Sequence, residues 1–307
     1  MKAARIHEFG DASVIRYEEV PQPAPGPGEV LIQVAAASYN PSDVGFRSGF
    51  MQAVLPVDLP YVPGADVSGV IAEVGQDVDS FAVGDRVIGR LDRGGASAEY
   101  VAASTGVLVT APTTIALTDA AAIPVVALTA WQALFEHANV GAGQSVLVNG
   151  AGGGVGIFTV QLAKHAGAHV VATASGRSAE AVRRYGADQI VDYTLTPVTE
   201  ALDGQVDAVI NLVAVTPEAA ADLASLVQPG GVIVSITTPV EPPADADVAA
   251  IRFVARNDVE QLTEIVELID AGALSVDVTE SHPLRDLELV HRKSEAGQTH
   301  GKIIVIP

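Results

Sequence analysis

Cysteine is absent from the 307 residues. That excludes disulfides, thiolate catalysis and every cysteine-ligated zinc or iron–sulfur centre. Aromatic residues make up only 5%, so Ala, Val, Leu and Ile must fill the core. Basic residues are scarce: 17 Lys and Arg stand against 37 Asp and Glu, a formal charge of −20. A field of that sign repels phosphate backbones and argues against a nucleic-acid partner, while leaving room for one small anion in a local basic pocket. No run of about 18 apolar residues escapes interruption by Gly, Pro or charge, so no membrane span is expected. The opening Met1-Lys2-Ala3-Ala4-Arg5-Ile6-His7 reaches Glu8 before an apolar leader core can form, and the expected location is cytoplasmic. What is present is a hydrophobic fraction of 49% with 18% charged residues, which excludes disorder. The length suits two domains.

The first third reads as β structure. Pro21, Pro23, Pro25 and Pro27, with Gly26 and Gly28, form a loop that cannot be helical. Residues 30–35, 67–74 and 86–88 read as short strands punctuated by glycine, as in a small barrel-like β domain. The pattern changes near Thr118, which is placed to N-cap a helix that Pro124 would kink. From residue 145, strands expected at 146–149, 169–173, 189–191, 206–212, 232–236 and 251–255 alternate with helices at 155–165, 178–185, 217–227 and 259–270. That alternation predicts an α/β fold with a doubly wound parallel sheet. A short tail ends in the strand-like Lys302-Ile303-Ile304-Val305-Ile306.

The strongest local signal is Asn149-Gly150-Ala151-Gly152-Gly153-Gly154-Val155-Gly156. Its glycines fit G-x-x-G-x-x-G from Gly150 through Gly153 to Gly156, with extra glycines at 152 and 154, a variant of the G-x-G-x-x-G fingerprint. Without Cβ atoms the backbone can turn sharply and approach a pyrophosphate, which then meets the N–H groups and positive dipole end of the next helix. The following strand runs into Ala174-Ser175-Gly176-Arg177 with no acidic residue at its end. A carboxylate there would bind the ribose 2′-hydroxyl of NAD and repel a 2′-phosphate, whereas Ser175 and Arg177 suit the phosphate. One charge-assisted bond is worth roughly 1.5–3 kcal/mol, so NADPH is expected over NADH. Arg177 is otherwise a solvated loop cation, with Glu180 close in sequence as a rival partner.

Further motifs occur in a fixed order: Gly28-Glu29-Val30-Leu31-Ile32, Asn40-Pro41-Ser42-Asp43, Arg47-Ser48-Gly49, Val62-Pro63-Gly64-Ala65-Asp66-Val67-Ser68-Gly69, Val83-Gly84-Asp85-Arg86-Val87, Leu128-Thr129-Ala130-Trp131, and Gly301-Lys302-Ile303-Ile304-Val305. Along essentially the whole chain they resemble the medium-chain dehydrogenase/reductase superfamily, within it the zinc-free quinone oxidoreductase (zeta-crystallin-like) branch. The resemblance implies a GroES-like catalytic domain built from both chain ends, 1–117 and 256–307, around an inserted Rossmann NADP-binding domain, 118–255, with an active cleft between them. It also implies a homodimer formed through the last Rossmann strand. The zinc alcohol dehydrogenases carry Cys where this chain has Asn40, and His-Glu where it has Ala65-Asp66, so no catalytic zinc of that type is expected. The seven histidines show no ligand spacing.

The same resemblance nominates site residues. Asn40 falls beside the nicotinamide ribose, or is a turn-forming residue before Pro41. Ser42 takes the place of a proton-relay hydroxyl, or caps a helix. Thr129 contacts cofactor, or is satisfied by its own helix backbone. Gly152, Gly153, Gly154, Val155 and Gly156 would hold the pyrophosphate; Ser175, Arg177 and Tyr193 would hold the adenosine phosphate. Asn211, Thr237, Phe253 and Val254 lie where strand ends face the nicotinamide, while Phe46, Phe50 and Tyr61 either line an apolar substrate pocket or pack in the core. The implied activity is metal-free hydride transfer from NADPH to a quinone or activated enone. Reduction of an enoyl thioester is the alternative activity, and a non-enzymatic NADPH-binding sensor or structural protein is the alternative of another class.

Overall fold

The computed structural model describes residues 1–202, 204–243 and 246–307. The chain divides into two compact units: Met1–Val125 with Asn257–Pro307, and Val126–Arg256. In chain order the first unit contributes β1 (Lys2–Ile6), β2 (Ile15–Glu19), β3 (Glu29–Tyr39), α1 (Ser42–Arg47), β4 (Asp66–Val74), β5 (Arg86–Arg90), β6 (Tyr100–Ser104), β7 (Leu108–Thr110) and α2 (Leu117–Ala120). The helix α3 (Pro124–Trp131) leads into the second unit. There follow β8 (Ser145–Asn149), α4 (Gly154–His165), β9 (His169–Ala174), α5 (Ala179–Arg184), β10 (Gln189–Asp192), α6 (Val198–Ala201), β11 (Val206–Asn211), α7 (Pro217–Ser225), β12 (Val227–Ser235) and β13 (Val248–Arg252). The chain returns to the first unit through α8 (Val259–Asp270), β14 (Val278–Pro283), α9 (Leu287–Glu295) and β15 (Lys302–Ile306).

The expected break at 117/118 lies inside the first unit. Ala121 and Ala122 cluster with Ala36 of β3 and Ile304 of β15, and the Val125 N–H donates to Asp66 Oδ1 at 2.7 Å. Thr118 is not a cap: α2 is capped at Ala116, with Thr118 inside it. Pro124 does not kink a helix but opens α3, where its missing N–H would have had no partner.

The first unit is a seven-stranded sheet in the order β14-β15-β3-β4-β5-β7, with β6 also paired to β3, beside a two-stranded β1-β2 sheet. The long β3 pairs antiparallel with β4, β6 and β15, so residues from both ends of the sequence share one sheet. Its core joins Val30, Ile32, Ile71, Val87, Ile303 and Val305.

The second unit is a six-stranded parallel sheet in the order β10-β9-β8-β11-β12-β13. Counted within the unit this is 3-2-1-4-5-6, the doubly wound order in which ligands sit beyond the carboxyl ends of the strands, where the order reverses. The switch point lies between β8 and β11. The inner strands are buried on both faces and read as apolar runs. The sixth strand was expected at 251–255 but runs Val248–Arg252, because pairing with β12 ends at Ser235 opposite Arg252. Phe253 and Val254 therefore follow the strand. Among the described residues no helix is long and apolar enough to cross a membrane.

Candidate functional site

At the switch point β8 ends in Asn149 and the chain turns at Gly150, whose φ of +96° favours a residue without Cβ. A Cβ at Gly150 would also come within 2.6 Å of Val213 Cγ1. A Cβ at Gly156 would overlap the Gly150 carbonyl oxygen, and one at Gly152 would overlap Ser178. These are positions of close approach, and they fold the loop tightly onto the first turn of α4. That helix is capped by Gly153, which offers no side chain to its N–H groups. The first helical bond runs from the Ile157 N–H to the Gly153 carbonyl, 3.0 Å. The amides of Gly154, Val155 and Gly156 thus precede the first bonded donor and are directed out of the helix. Lys164 and His165 occupy the last turn of α4, where cations suit its dipole. A helix start with glycine at 153, 154 and 156, at a switch point, fits the pyrophosphate of a dinucleotide.

Past β9, the Ser175 carbonyl accepts the Ser178 and Ala179 N–H groups at 2.9 and 3.0 Å, which curls the backbone and leaves Arg177 at its tip. Arg177 is exposed and makes no ion pair or hydrogen bond among the described residues; Glu180 does not engage it. Tyr193, just after β10, is also exposed. Thr129 is buried within α3. Asn211 closes β11 at 0% exposure: its Oδ1 accepts from Asn149 Nδ2 at 2.9 Å, and its Nδ2 donates to the Val213 carbonyl and Ser235 Oγ, both at 3.1 Å. Thr237 donates to the Val213 carbonyl at 2.7 Å. The Phe253 ring meets His137 at a centroid distance of 4.3 Å, and Val254 is exposed.

In the first unit Asn40 lies in a buried polar cluster. The Lys302 ammonium, 4% exposed, donates to Ser38 Oγ at 2.6 Å and Asn40 Oδ1 at 2.9 Å, and lies 3.4 Å from Asp66 Oδ2. Asp66 is wholly buried; its carboxylate also accepts from Ser38 Oγ and, at 2.8 Å, from Asn40 Nδ2. Asp43, in the first turn of α1, accepts the Asn40 N–H at 2.9 Å. Burial pushes the Asp43 carboxyl up to about 7, with the neighbouring Asp66 charge adding to the rise and the Asn40 N–H and Lys302 opposing it. Burial likewise pulls the Lys302 ammonium below its ordinary value, against the attraction of Asp66. The cation of this cluster is a lysine, and the oxygens of Asn40 and Asp66 are already turned to it. The donor set does not fit zinc, which takes thiolate, imidazole and carboxylate in a tetrahedron.

Ser42 is exposed at the start of α1. The three aromatic pocket candidates separate: Tyr61 is core, Phe46 packs on it with ring centroids 6.3 Å apart, and Phe50 is 83% exposed. Residue-by-residue reading gave no role to Ser38, Asp66 or Lys302. The available signal was a lysine heading the apolar run 303–306, since a charge on a buried strand needs an opposite charge elsewhere.

Residues 26–113 match the alcohol dehydrogenase GroES-like domain, and residues 185–305 match a zinc-binding dehydrogenase domain. A chloroplastic quinone oxidoreductase of Triphysaria versicolor is 33% identical over the whole chain and 98% of its own length. An NADPH-dependent alkenal/one oxidoreductase of Arabidopsis thaliana is 32% identical over the whole chain and 80% of its own length. The quinone oxidoreductase structure from Coxiella burnetii superposes with a TM-score of 0.90 at 30% identity, covering 100% of this chain and 99% of that one. Fold, glycine loop and these likenesses together define an oxidoreductase of the medium-chain dehydrogenase/reductase superfamily. Within it, the chain belongs to the quinone oxidoreductase branch.

Proposed function

We propose that this chain reduces quinones or activated enones with NADPH and without a metal ion. The observation that carries the reading is the pairing of a glycine-rich start of α4 with an exposed Arg177, unengaged among the described residues, beyond a strand that ends without a carboxylate. When bound, NADPH supplies a hydride at its nicotinamide. The loop at Gly152 and Gly153 with the amides of Gly154, Val155 and Gly156 holds the pyrophosphate, and Ser175, Arg177 and Tyr193 hold the adenosine phosphate. Thr129, Asn211, Thr237, Phe253 and Val254 shape the nicotinamide end, and Asn40, held within the first unit by Lys302 and Asp66, is a further cofactor-binding and catalytic candidate. Ser42, exposed to solvent, passes a proton to the reduced acceptor. Phe46, Phe50 and Tyr61 give that part of the first unit its apolar character. Named activities of the relatives, on quinones and on alkenals and enones, support the acceptor class.

The chemistry of the Asn40–Asp66–Lys302 cluster supports independence from zinc: its cation is a lysine ammonium, and acceptors already electrophilic need an aligned hydride donor more than a Lewis acid. The same reading assigns Met1–Val125 and Asn257–Pro307 to a GroES-like catalytic domain and places the chain in the cytoplasm as a homodimer. The outer edge of β13, which pairs only with β12 among the described residues, is the strand for that association. The test is loss of nicotinamide absorbance when the full chain is mixed with NADPH and benzoquinone or a simple enone, in buffer with and without chelator. Turnover that survives chelation is expected. Inactivity with every quinone and enone would sink the reading, and turnover of an enoyl thioester alone would select the alternative substrate. Cell fractionation and light scattering check location and oligomeric state.

A further inference from the structure

Four neighbouring parallel strands of the second unit end in a row of uncharged polar side chains. Asn211 on β11 is in register with Asn149 on β8 and with Ser235 on β12. Thr173 on β9 follows the Val148–Ala172 register pair by one residue. Register partners in a sheet project to one face about 4.8 Å apart, within reach of direct hydrogen bonds. The row is bonded end to end. Thr173 Oγ1 donates to Asn149 Oδ1 at 2.8 Å, Asn149 Nδ2 to Asn211 Oδ1 at 2.9 Å, and Asn211 Nδ2 to Ser235 Oγ at 3.1 Å. Thr173, Asn211 and Ser235 are all buried.

Apolar side chains at these positions would bury without needing any partner. What the polar row adds is its attachment to loops. At one end Thr173 Oγ1 accepts the N–H of Gly150, 2.8 Å, the first residue of the glycine-rich turn. At the other, Asn211 Nδ2 holds the Val213 carbonyl after β11, and Ser235 Oγ accepts the Thr237 N–H after β12 at 3.3 Å. Thr237 Oγ1 closes the pattern on the same Val213 carbonyl at 2.7 Å. Each member is oriented by its neighbours, so three loops at the ligand-binding edge of the sheet are fixed to one another through a single chain of bonds.

We propose that Asn149, Thr173, Asn211 and Ser235 act as one positioning device for the dinucleotide. The row keeps the phosphate-binding turn in register with the two loops at the nicotinamide end, so that shortening it anywhere loosens the whole seat. This rests on the reading of the chain as NADPH-dependent. A connected row loses its function once, wherever it is cut, and effects at its two ends are therefore not additive.

The experiment is a fluorescence titration of NADPH onto the full chain, wild type and Thr173→Val, Thr173→Ser, Ser235→Ala and the Thr173→Val/Ser235→Ala pair, with melting temperatures recorded beside it. Thr173 and Ser235 lie three strands apart, on the order of 14 Å. Each of Thr173→Val and Ser235→Ala is expected to weaken binding about tenfold, and the pair by about the same factor rather than a hundredfold. Thr173→Ser, which keeps the hydroxyl, is expected to bind within about threefold of wild type. Multiplicative losses in the pair, or unchanged affinity in Ser235→Ala, would overturn the inference. If Thr173→Val does not fold, Ser235→Ala decides alone, since Ser235 bonds no residue of the glycine turn. Wild type that binds neither reduced coenzyme overturns the functional reading and the inference with it; wild type that binds beside indifferent variants overturns the inference alone.

Discussion

Both units set polar side chains into apolar strands, and they do so with different chemistry. In the second unit the row Thr173–Asn149–Asn211–Ser235 carries no charge, and each donor finds a neutral acceptor on the next strand. In the first unit the cluster around Asp66 and Lys302 is ionic, wholly enclosed, and joins strands from opposite ends of the sequence. Neutral groups lose little on burial once each is hydrogen-bonded, whereas buried ions depend on every partner being present. The ionic cluster should therefore lose more stability on a single deletion and respond to pH, where the neutral row loses less and does not titrate.

The hardest blow to that contrast is Lys302→Met. The side chain is close in size but removes what is, among the described residues, the only positive charge bonded to Asp66, and takes a donor from Ser38 and Asn40. Breaking one side of a buried pair costs about 3–5 kcal/mol. Urea denaturation is expected to show a loss of that size, against about 1 kcal/mol for Ser235→Ala in the neutral row. Equal losses would erase the distinction between the two regions.

A second break is by pH. Asp43 titrates near 7 in the folded chain against an ordinary value of 3.8. The folded state thus holds a proton that the unfolded chain releases. Its stabilising contribution is full below about pH 4 and is lost as pH rises through about 7. His291 in the same unit runs the other way: burial, aided by Arg47, pulls it to about 4, so its contribution is present above the ordinary histidine value of 6.5 and lost as pH falls toward 4. The two partly mask one another in wild type. Asp43→Asn keeps an oxygen for the Asn40 N–H and does not titrate. Its stability relative to wild type is expected to rise between pH 5 and pH 8, on the order of 2–4 kcal/mol, while the His291 contribution cancels in the difference. A difference flat with pH would show that Asp43 is already ionised when folded.

The legibility of the two regions differs for the same physical reason. Parallel strands buried on both faces print themselves as apolar runs, so β8, β9 and β11 were visible to within a residue or two, and the glycine turn announced α4. Strand β13 was not: Ala249 and Ala250 look too small for a strand, while Phe253 and Val254 extend an apolar run that no longer pairs. Single polar residues at strand ends, such as Asn149, Thr173 and Ser235, carry no signal until register aligns them. Asp66 and Lys302 stood inside recognisable motifs, but they lie 236 positions apart, and only the fold makes them partners. Arg177 can be nominated from sequence because the argument for it is local: a strand end, a turn and one cation.

Arg177 also sharpens the comparison from outside both buried networks. It is exposed and, among the described residues, unengaged, so its charge is screened by salt as that of the enclosed cluster is not. Arg177→Ala is expected to weaken NADPH binding by roughly tenfold to 150-fold at low ionic strength and to leave NADH unchanged, because only the 2′-phosphate distinguishes the two. Raising the salt should shrink the Arg177→Ala effect toward the wild-type affinity measured in the same buffer, while the tenfold loss in Ser235→Ala persists, since no ion takes part in that row. An NADH loss as large as the NADPH loss would place Arg177 in the scaffold of the turn instead of against the phosphate. A salt-dependent loss in Ser235→Ala would mean that charge reaches the row after all.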